Sequence, residues 1–288
     1  LGIIGSARKL GNGEILIKEA LMAAKEKGAA VRALRLPDYK LLPCKGCLAC
    51  ILKGEPCRLD DDMHALWEHL QWADGLIISS PTYLLGPSGI IKMFIDRLFE
   101  YSLQLGQFRK RPVALIATAG LPEWDPFTMP ILTMLAGMLQ LEIIEKLTVY
   151  RPGPGEVLLD EASIANATKI GEHIVDSLTS PSSPKESPKT KIQNTCALCG
   201  APFLLFLKGN IVECPLCRAQ GHLQFDDEET TIAWNQSSGR YRWSPQALAE
   251  HFGEWVIKTG PVFQKHKARI QELKQRYRAF KIQTPSGT

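Results

Sequence analysis

Eight cysteines stand in two tight sets of four: Cys44, Cys47, Cys50 and Cys57, then Cys196, Cys199, Cys214 and Cys217. Cysteines two residues apart bridge one another only with strain, so both sets suit chelation better than disulfides. That usage suits a reducing, cytoplasmic compartment. The first set reads C-x2-C-x2-C-x6-C. Three thiolates at such short steps can cap three corners of a cubane iron–sulfur cluster, and a fourth arrives after a short loop. Zinc also takes four thiolates, more often from two separated pairs, and free thiols there would form a redox-sensing dithiol. All three readings stand on spacing alone. The second set, C-x2-C-x14-C-x2-C, is two pairs a hairpin apart, with Gly200 and Pro215 suited to tight turns around sulfur. It predicts tetrahedral coordination of structural zinc, with a single electron-carrying iron as the alternative.

A third motif suits an anion. Gly5-Ser6-Ala7-Arg8-Lys9-Leu10-Gly11-Asn12-Gly13 joins an apolar run to an amphipathic one. A strand–loop–helix junction of this kind aims free backbone N–H groups and the positive helix end at a phosphate. Ser6 offers a hydroxyl, Arg8 a guanidinium and Asn12 an amide. No Gly-Lys-Ser/Thr closes the loop and it is not G-x-G-x-x-G, so an ordinary polar turn is the plain alternative. The six histidines are scattered and form no hydrolase or metalloprotease signature.

The elements that must carry these residues alternate. Strands are predicted at Leu1–Gly5, Val31–Leu36, Gly75–Ser79, Val113–Thr118 and Ile143–Tyr150. Helices are predicted at Glu14–Lys27, Met63–Trp72, Ser88–Tyr101, Pro130–Leu141 and Asp160–Leu178, the last capped by Asp160. Five such β/α units over residues 1–178 indicate an α/β domain with a doubly wound, five-stranded parallel sheet. The cysteine loop 44–57 leaves the second strand at the carboxyl edge, as the anion loop leaves the first. Residues 179–195, rich in Pro, Ser and Lys, read as a linker. Residues 196–244 read as a small four-cysteine module, with Lys208-Gly209-Asn210 turning between two short strands. Residues 245–288 read as helical, broken at Gly260-Pro261.

Two stretches together resemble a known family. GSARKLGNGEILIKEAL looks like the opening of the flavodoxin-like NAD(P)H-dependent FMN reductases, and SSPTYLLGPSGIIKMFIDR (79–97) looks like their second flavin loop. The resemblance implies a flavodoxin-like fold with Ser6, Arg8, Asn12 and Gly13 at the FMN phosphate. It puts Pro81, Thr82, Tyr83, Leu84 and Gly86 against the flavin ring, with Thr118, Ala119 and Gly120 on a third loop beside them. Gly13 stands where that family usually carries Thr or Ser. The array at Cys44, Cys47, Cys50 and Cys57, followed by Asp60-Asp61-Asp62, resembles that of the iron–sulfur flavoprotein branch, where it holds a 4Fe-4S cluster. The later four cysteines resemble a zinc ribbon. The likeness implies an FMN oxidoreductase exchanging electrons among NAD(P)H or a protein donor such as ferredoxin, flavin and cluster. A flavin–cluster pair completed across a homo-oligomer interface would fit the same scheme.

Bulk properties narrow the field. The 288 residues are 45% hydrophobic with a formal charge of +4, a globular balance too weakly charged to dictate nucleic-acid binding. No apolar run reaches the ~18 residues of a membrane span and no secretory leader is visible. The chain opens at Leu1-Gly2-Ile3-Ile4, already inside an apolar run, as expected if a few residues precede it. Nine Lys/Arg against three Asp/Glu between Tyr241 and Thr288 make the tail basic. A solvated amphipathic helix docking on its own dimer is the simpler reading of it; RNA or DNA contact beside the ribbon is the other. Two rival functions follow: an FMN reductase without a cluster, and a redox-sensing regulator that binds nucleic acid through ribbon and basic helix.

Overall fold

A computed structural model describes residues 1–179, 195–225, 230–235 and 241–278. The linker expected at 179–195 lies outside the described residues except for its two ends. In the first part, β1 (Gly2–Ile4), α1 (Asn12–Glu26), β2 (Ala33–Arg35), α2 (Ala49–Leu52), α3 (Met63–Trp72) and β3 (Leu76–Tyr83) follow in order. After these come β4 (Gly86–Pro87), α4 (Gly89–Arg97), a 3₁₀ segment Leu98–Phe108, β5 (Pro112–Ala119), α5 (Thr128–Met138), β6 (Glu142–Tyr150) and α6 (Glu161–Thr179). The parallel strands lie in the order β2-β1-β3-β5-β6, with β4 a short antiparallel partner of β3. This is the expected doubly wound sheet in its flavodoxin-like order.

Strand alternation assigns the two apolar layers. Leu76 and Ile78 of β3 and Val113 and Leu115 of β5 face α3, α4 and α5, whereas Ile77, Ala114 and Ile116 face α1 and α6. Asp160 caps α6 as predicted, accepting from the Ser163 amide at 3.2 Å. Most ends shift by one to three residues from the sequence reading, and two boundaries differ by four. β3 continues past Ser79 to Tyr83, because β4 folds back to pair with Thr82 and Tyr83. α4 stops at Arg97, and non-helical dihedrals at Tyr101 turn that ring flat onto Trp67, with centroids 4.0 Å apart. The buried aromatic stack outweighs the helical periodicity there.

The second part is a four-stranded antiparallel sheet in the order β10-β9-β8-β7, from β7 (Leu205–Phe206), β8 (Ile211–Glu213), β9 (Gln220–Phe225) and β10 (Thr230–Trp234). Gly209 adopts φ +76° in the predicted turn between β7 and β8. Next come α7 (Pro245–Ala249), a wide π-helical turn Glu250–Val256, and α8 (Ile257–Arg278). The break expected at Gly260-Pro261 is absent, since α8 runs through Pro261. A proline removes one bond of the helical ladder and need not end a helix whose other bonds stand. Leu248 and Phe252 pack into the core of the first part, and Trp243 lies so close to α5 that a Cβ on Gly137 would fall 2.6 Å from its ring. Among the described residues, no helix is long and apolar enough to cross a membrane.

Candidate functional site

At the carboxyl edge of the parallel sheet, four loops enclose a cleft of about 250 Å³. Ser6, Arg8, Gly11, Asn12 and Gly13 line it from the loop before α1; Pro81, Thr82 and Tyr83 from the end of β3; Thr118, Ala119 and Gly120 from the end of β5. Ten of the twelve residues expected around a flavin therefore share one cavity. Leu84 and Gly86 lie outside its lining: Leu84 is 99% exposed at the tip of the β3–β4 turn.

The anion loop is held from below. Glu14, buried in the first turn of α1, accepts from the Leu10 amide at 3.0 Å and pairs with Lys18 and Arg35 at 2.7 Å each. Burial alone would raise the Glu14 carboxyl, but these donors take it below the usual carboxylate range. The stability it contributes is full above about pH 4.3, its ordinary value, and is lost as pH falls through the folded value. Glu14→Gln is expected to cost about 1–2 kcal/mol at neutral pH. Thermal melts from pH 7 to pH 3 should then show wild type and variant converging in acid; a constant gap would contradict this.

The Asn12 side chain has a different employment from the anion contact suggested by its position. Its Nδ2 donates to Arg151 O (2.9 Å) and Gly153 O (3.0 Å), and its Oδ1 accepts from Val157 N (3.2 Å). It thereby ties the first loop to a fourth, after β6, which brings Arg151, Pro152 and Pro154 to the cleft. Sequence alone does not single out these three residues, while Gly11 belongs to the anion loop without being named as a ligand. The signal was present in Arg151-Pro152-Gly153-Pro154-Gly155, which leaves the fifth parallel strand and so emerges at the same edge. Arg151 is committed to Asp160 at 2.8 Å, whereas the Arg8 guanidinium has no partner among the described residues. The donor set fits a phosphate: the first N–H groups of α1 lack intrahelical acceptors, and an uncommitted cation stands beside them.

The first cysteine set lies on the loop between β2 and α3. Cys44 and Cys47 are exposed, Cys50 and Cys57 half-buried. Left-handed turns at Gly46 (φ +61°) and Leu48 (φ +56°) curl the chain between successive cysteines. Burial, with Cys57 and Cys47 nearby, pushes the Cys50 thiol up. Two exposed and two half-buried thiols thus share one curled loop, but among the described residues they do not converge into a ligand group as the second set does. The loop is anchored at both ends by a buried network. Asp61 accepts from Leu42 N (2.9 Å) and Met63 N (3.3 Å) and pairs with Arg97; Arg97 also reaches Glu100 (3.3 Å), which accepts from Cys57 N (3.0 Å). Both partners of the Arg97–Asp61 pair are at most 2% exposed. The acidic turn Asp60-Asp61-Asp62 is thus a fastening for the cysteine loop. Its partner Arg97 ends α4, nine residues or about 13 Å along the axis from the cleft edge where that helix starts.

The second set converges. The sulfurs of Cys196, Cys199, Cys214 and Cys217 all lie within 4.8 Å of one another and are buried. Sγ pairs 196/217 and 199/214 are 3.6 and 3.5 Å apart, the spacing of four thiolates about one tetrahedral ion. Each pair closes through a residue with positive φ, Gly200 (+71°) and Arg218 (+66°), whose amides donate to Cys196 O (2.7 Å) and Cys214 O (2.8 Å). Lys146, reaching across from β6, donates to Cys199 O at 2.7 Å. The site fits a structural metal.

Residues 1–124 match the family model described as NADPH-dependent FMN reductase. An iron-sulfur flavoprotein of Archaeoglobus fulgidus is 30% identical over 190 residues, covering 61% of this chain and 93% of its own. Another, from Methanocaldococcus jannaschii, is 40% identical over 97 residues, 34% of this chain and 50% of its own. The Archaeoglobus protein apart, the chain spans about half the length of the first curated relatives it matches. Among solved structures, a flavone reductase matches over 99% of both chains with a TM-score of 0.75 at 18% identity, a likeness of fold.

Proposed function

Because this chain belongs to the iron–sulfur flavoprotein family, we propose that it is an FMN-dependent oxidoreductase, coupling flavin chemistry to a one-electron centre on the 44–57 loop. The observation that carries this is the convergence of four sheet-edge loops on one cleft at the N-terminus of α1, with Arg8 beside it and unpaired among the described residues. Bound FMN would supply hydride and single-electron exchange, and a 4Fe-4S cluster single-electron exchange.

The chain's own residues bind and orient. Ser6, Arg8 and the backbone N–H groups of Asn12 and Gly13 hold the phosphate. Pro81, Thr82 and Tyr83, with Thr118, Ala119 and Gly120, would hold the ring in the same cleft. Leu84 and Gly86, on the rim, shape the approach of a donor such as NAD(P)H. Cys44, Cys47, Cys50 and Cys57 hold the cluster. Cys196, Cys199, Cys214 and Cys217 would hold zinc, which would keep the described strands of a second domain at 196–244 folded against a flavin domain of residues 1–178. The exposure of Cys44 and Cys47 suits exchange with a redox protein such as a ferredoxin, or with the flavin of a second subunit.

Protein purified without oxygen should carry one FMN per chain, together with iron and acid-labile sulfide. Cys47→Ser should lose at least nine-tenths of the iron and sulfide while keeping FMN and the ribbon metal. Iron-free wild type that still oxidises NADPH through FMN would reduce the protein to a reductase without a cluster. Protein that neither retains nor takes up FMN would overturn the proposal altogether.

A further inference from the structure

Three serines crowd the corner where β3 meets the cleft. Two are satisfied: Ser80 Oγ donates to Pro81 O (2.9 Å) and accepts from Ser88 N (3.1 Å), and Ser88 Oγ donates to Gly5 O (2.5 Å). Ser79 is not. Its side chain is 99% buried (1% exposed), and its Oγ has no hydrogen-bond partner among the described residues. A buried hydroxyl is rarely left unpaired, so an orphan of this kind asks for an acceptor that arrives from outside.

Its position says which acceptor. A Cβ built on Gly13 would fall 3.0 Å from Ser79 Oγ and 3.9 Å from Thr118 Cγ2. Gly13 is the second residue of α1 and lines the cleft, as does Thr118. The absent side chain at 13 leaves a gap narrower than one methyl group between the first turn of the helix and the hydroxyl beneath it, and Ser79 itself does not line the cleft. The same turn presents the unpaired N–H groups of the helix end, where an anion is favoured.

Resting on the FMN reading above, we propose that Ser79 is a phosphate-binding residue, its hydroxyl donating through the gap at Gly13 to the phosphate at the start of α1. The donor comes from the strand floor instead of the loop. Gly13 is required for the space it leaves, since any side chain there would close the approach.

The test uses the full chain stripped of flavin and titrated with FMN and with riboflavin, which has the same ring and no phosphate. Ser79→Ala should raise the Kd for FMN about tenfold or more, the loss of one hydrogen bond to a charged group, and leave riboflavin binding unchanged. Flavin-free Ser79→Ala should melt at the same temperature as wild type or higher, because no satisfied bond has been removed. Gly13→Ser should also weaken FMN binding. The exchange variant Gly13→Ser/Ser79→Gly, which moves the hydroxyl from strand to helix, should return FMN affinity to within about threefold of wild type. If wild type prefers FMN over riboflavin but Ser79→Ala leaves that preference intact, or weakens both ligands equally, Ser79 is no phosphate ligand and the flavin reading survives. If wild type binds neither compound, both fall.

Discussion

Removing the metal from the second cysteine set, by Cys214→Ser or a strong chelator, is expected to unfold the antiparallel sheet while leaving the parallel one intact. The buried heart of that small unit is the four cysteines with Ala201 and Ala219; larger apolar side chains such as Phe203 and Leu204 only flank it. Among the described residues of the sheet, Val212 is the one large apolar side chain that is fully buried, too little to hold the strands once the thiolates lose their ion. Metal coordination of this type is worth about 10–16 kcal/mol in small zinc modules, more than the sheet can replace. Hydrogen exchange should report the loss directly: amides of β8 and β9 should exchange at unprotected rates, and those of β3 and β5 should stay protected. Metal analysis should fall by one equivalent per chain. The equivalent lost would be zinc if the site holds zinc and iron if it holds iron. The damage should also reach the cleft, because Phe203 of the ribbon meets Phe127, and Phe127 N donates to Leu85 O beside the second cleft loop at 3.0 Å. Protection of β8 and β9 that survives complete metal removal would refute the assignment of a structural role.

How far the sequence foretold this molecule depended on how local each cause was. The parallel strands were legible because their apolar runs are read within five to eight residues, and the ribbon ligands because their knuckles are short. The anion loop was legible for the same reason. What escaped had partners far along the chain. Asn12 looked like an anion ligand by position, but its amide is spent on carbonyls about 140 residues away. The fourth cleft loop carried a Pro/Gly run whose importance depends on strand order, a property of the whole sheet. Tyr101 read as helical until its stack on Trp67 fixed it otherwise. Asp61 was visible as part of an acidic turn, yet nothing local identified Arg97, 36 residues on, as the charge it neutralises.

That last pair sets the second large effect. Arg97→Met should destabilise the first part of the chain by about 3–5 kcal/mol, because it strands a buried carboxylate at Asp61. For a domain of this size the melting temperature should drop by about 10 °C. The paired change Arg97→Met/Asp61→Leu removes both charges and should recover most of that loss, since a buried ion pair often adds little over well-packed apolar groups of similar volume. Stability and cluster retention should then separate. The network does more than neutralise charge: Asp61 fixes Leu42, just before the first cysteine, and Glu100, steadied by Arg97, fixes the amide of Cys57 itself. A chain with both charges replaced should fold and bind FMN while its iron content remains low, because the two ends of the cysteine loop are no longer held in register. Full iron retention in the paired variant would mean that the cysteines gather around their cluster without this fastening, and that the buried pair serves the fold alone.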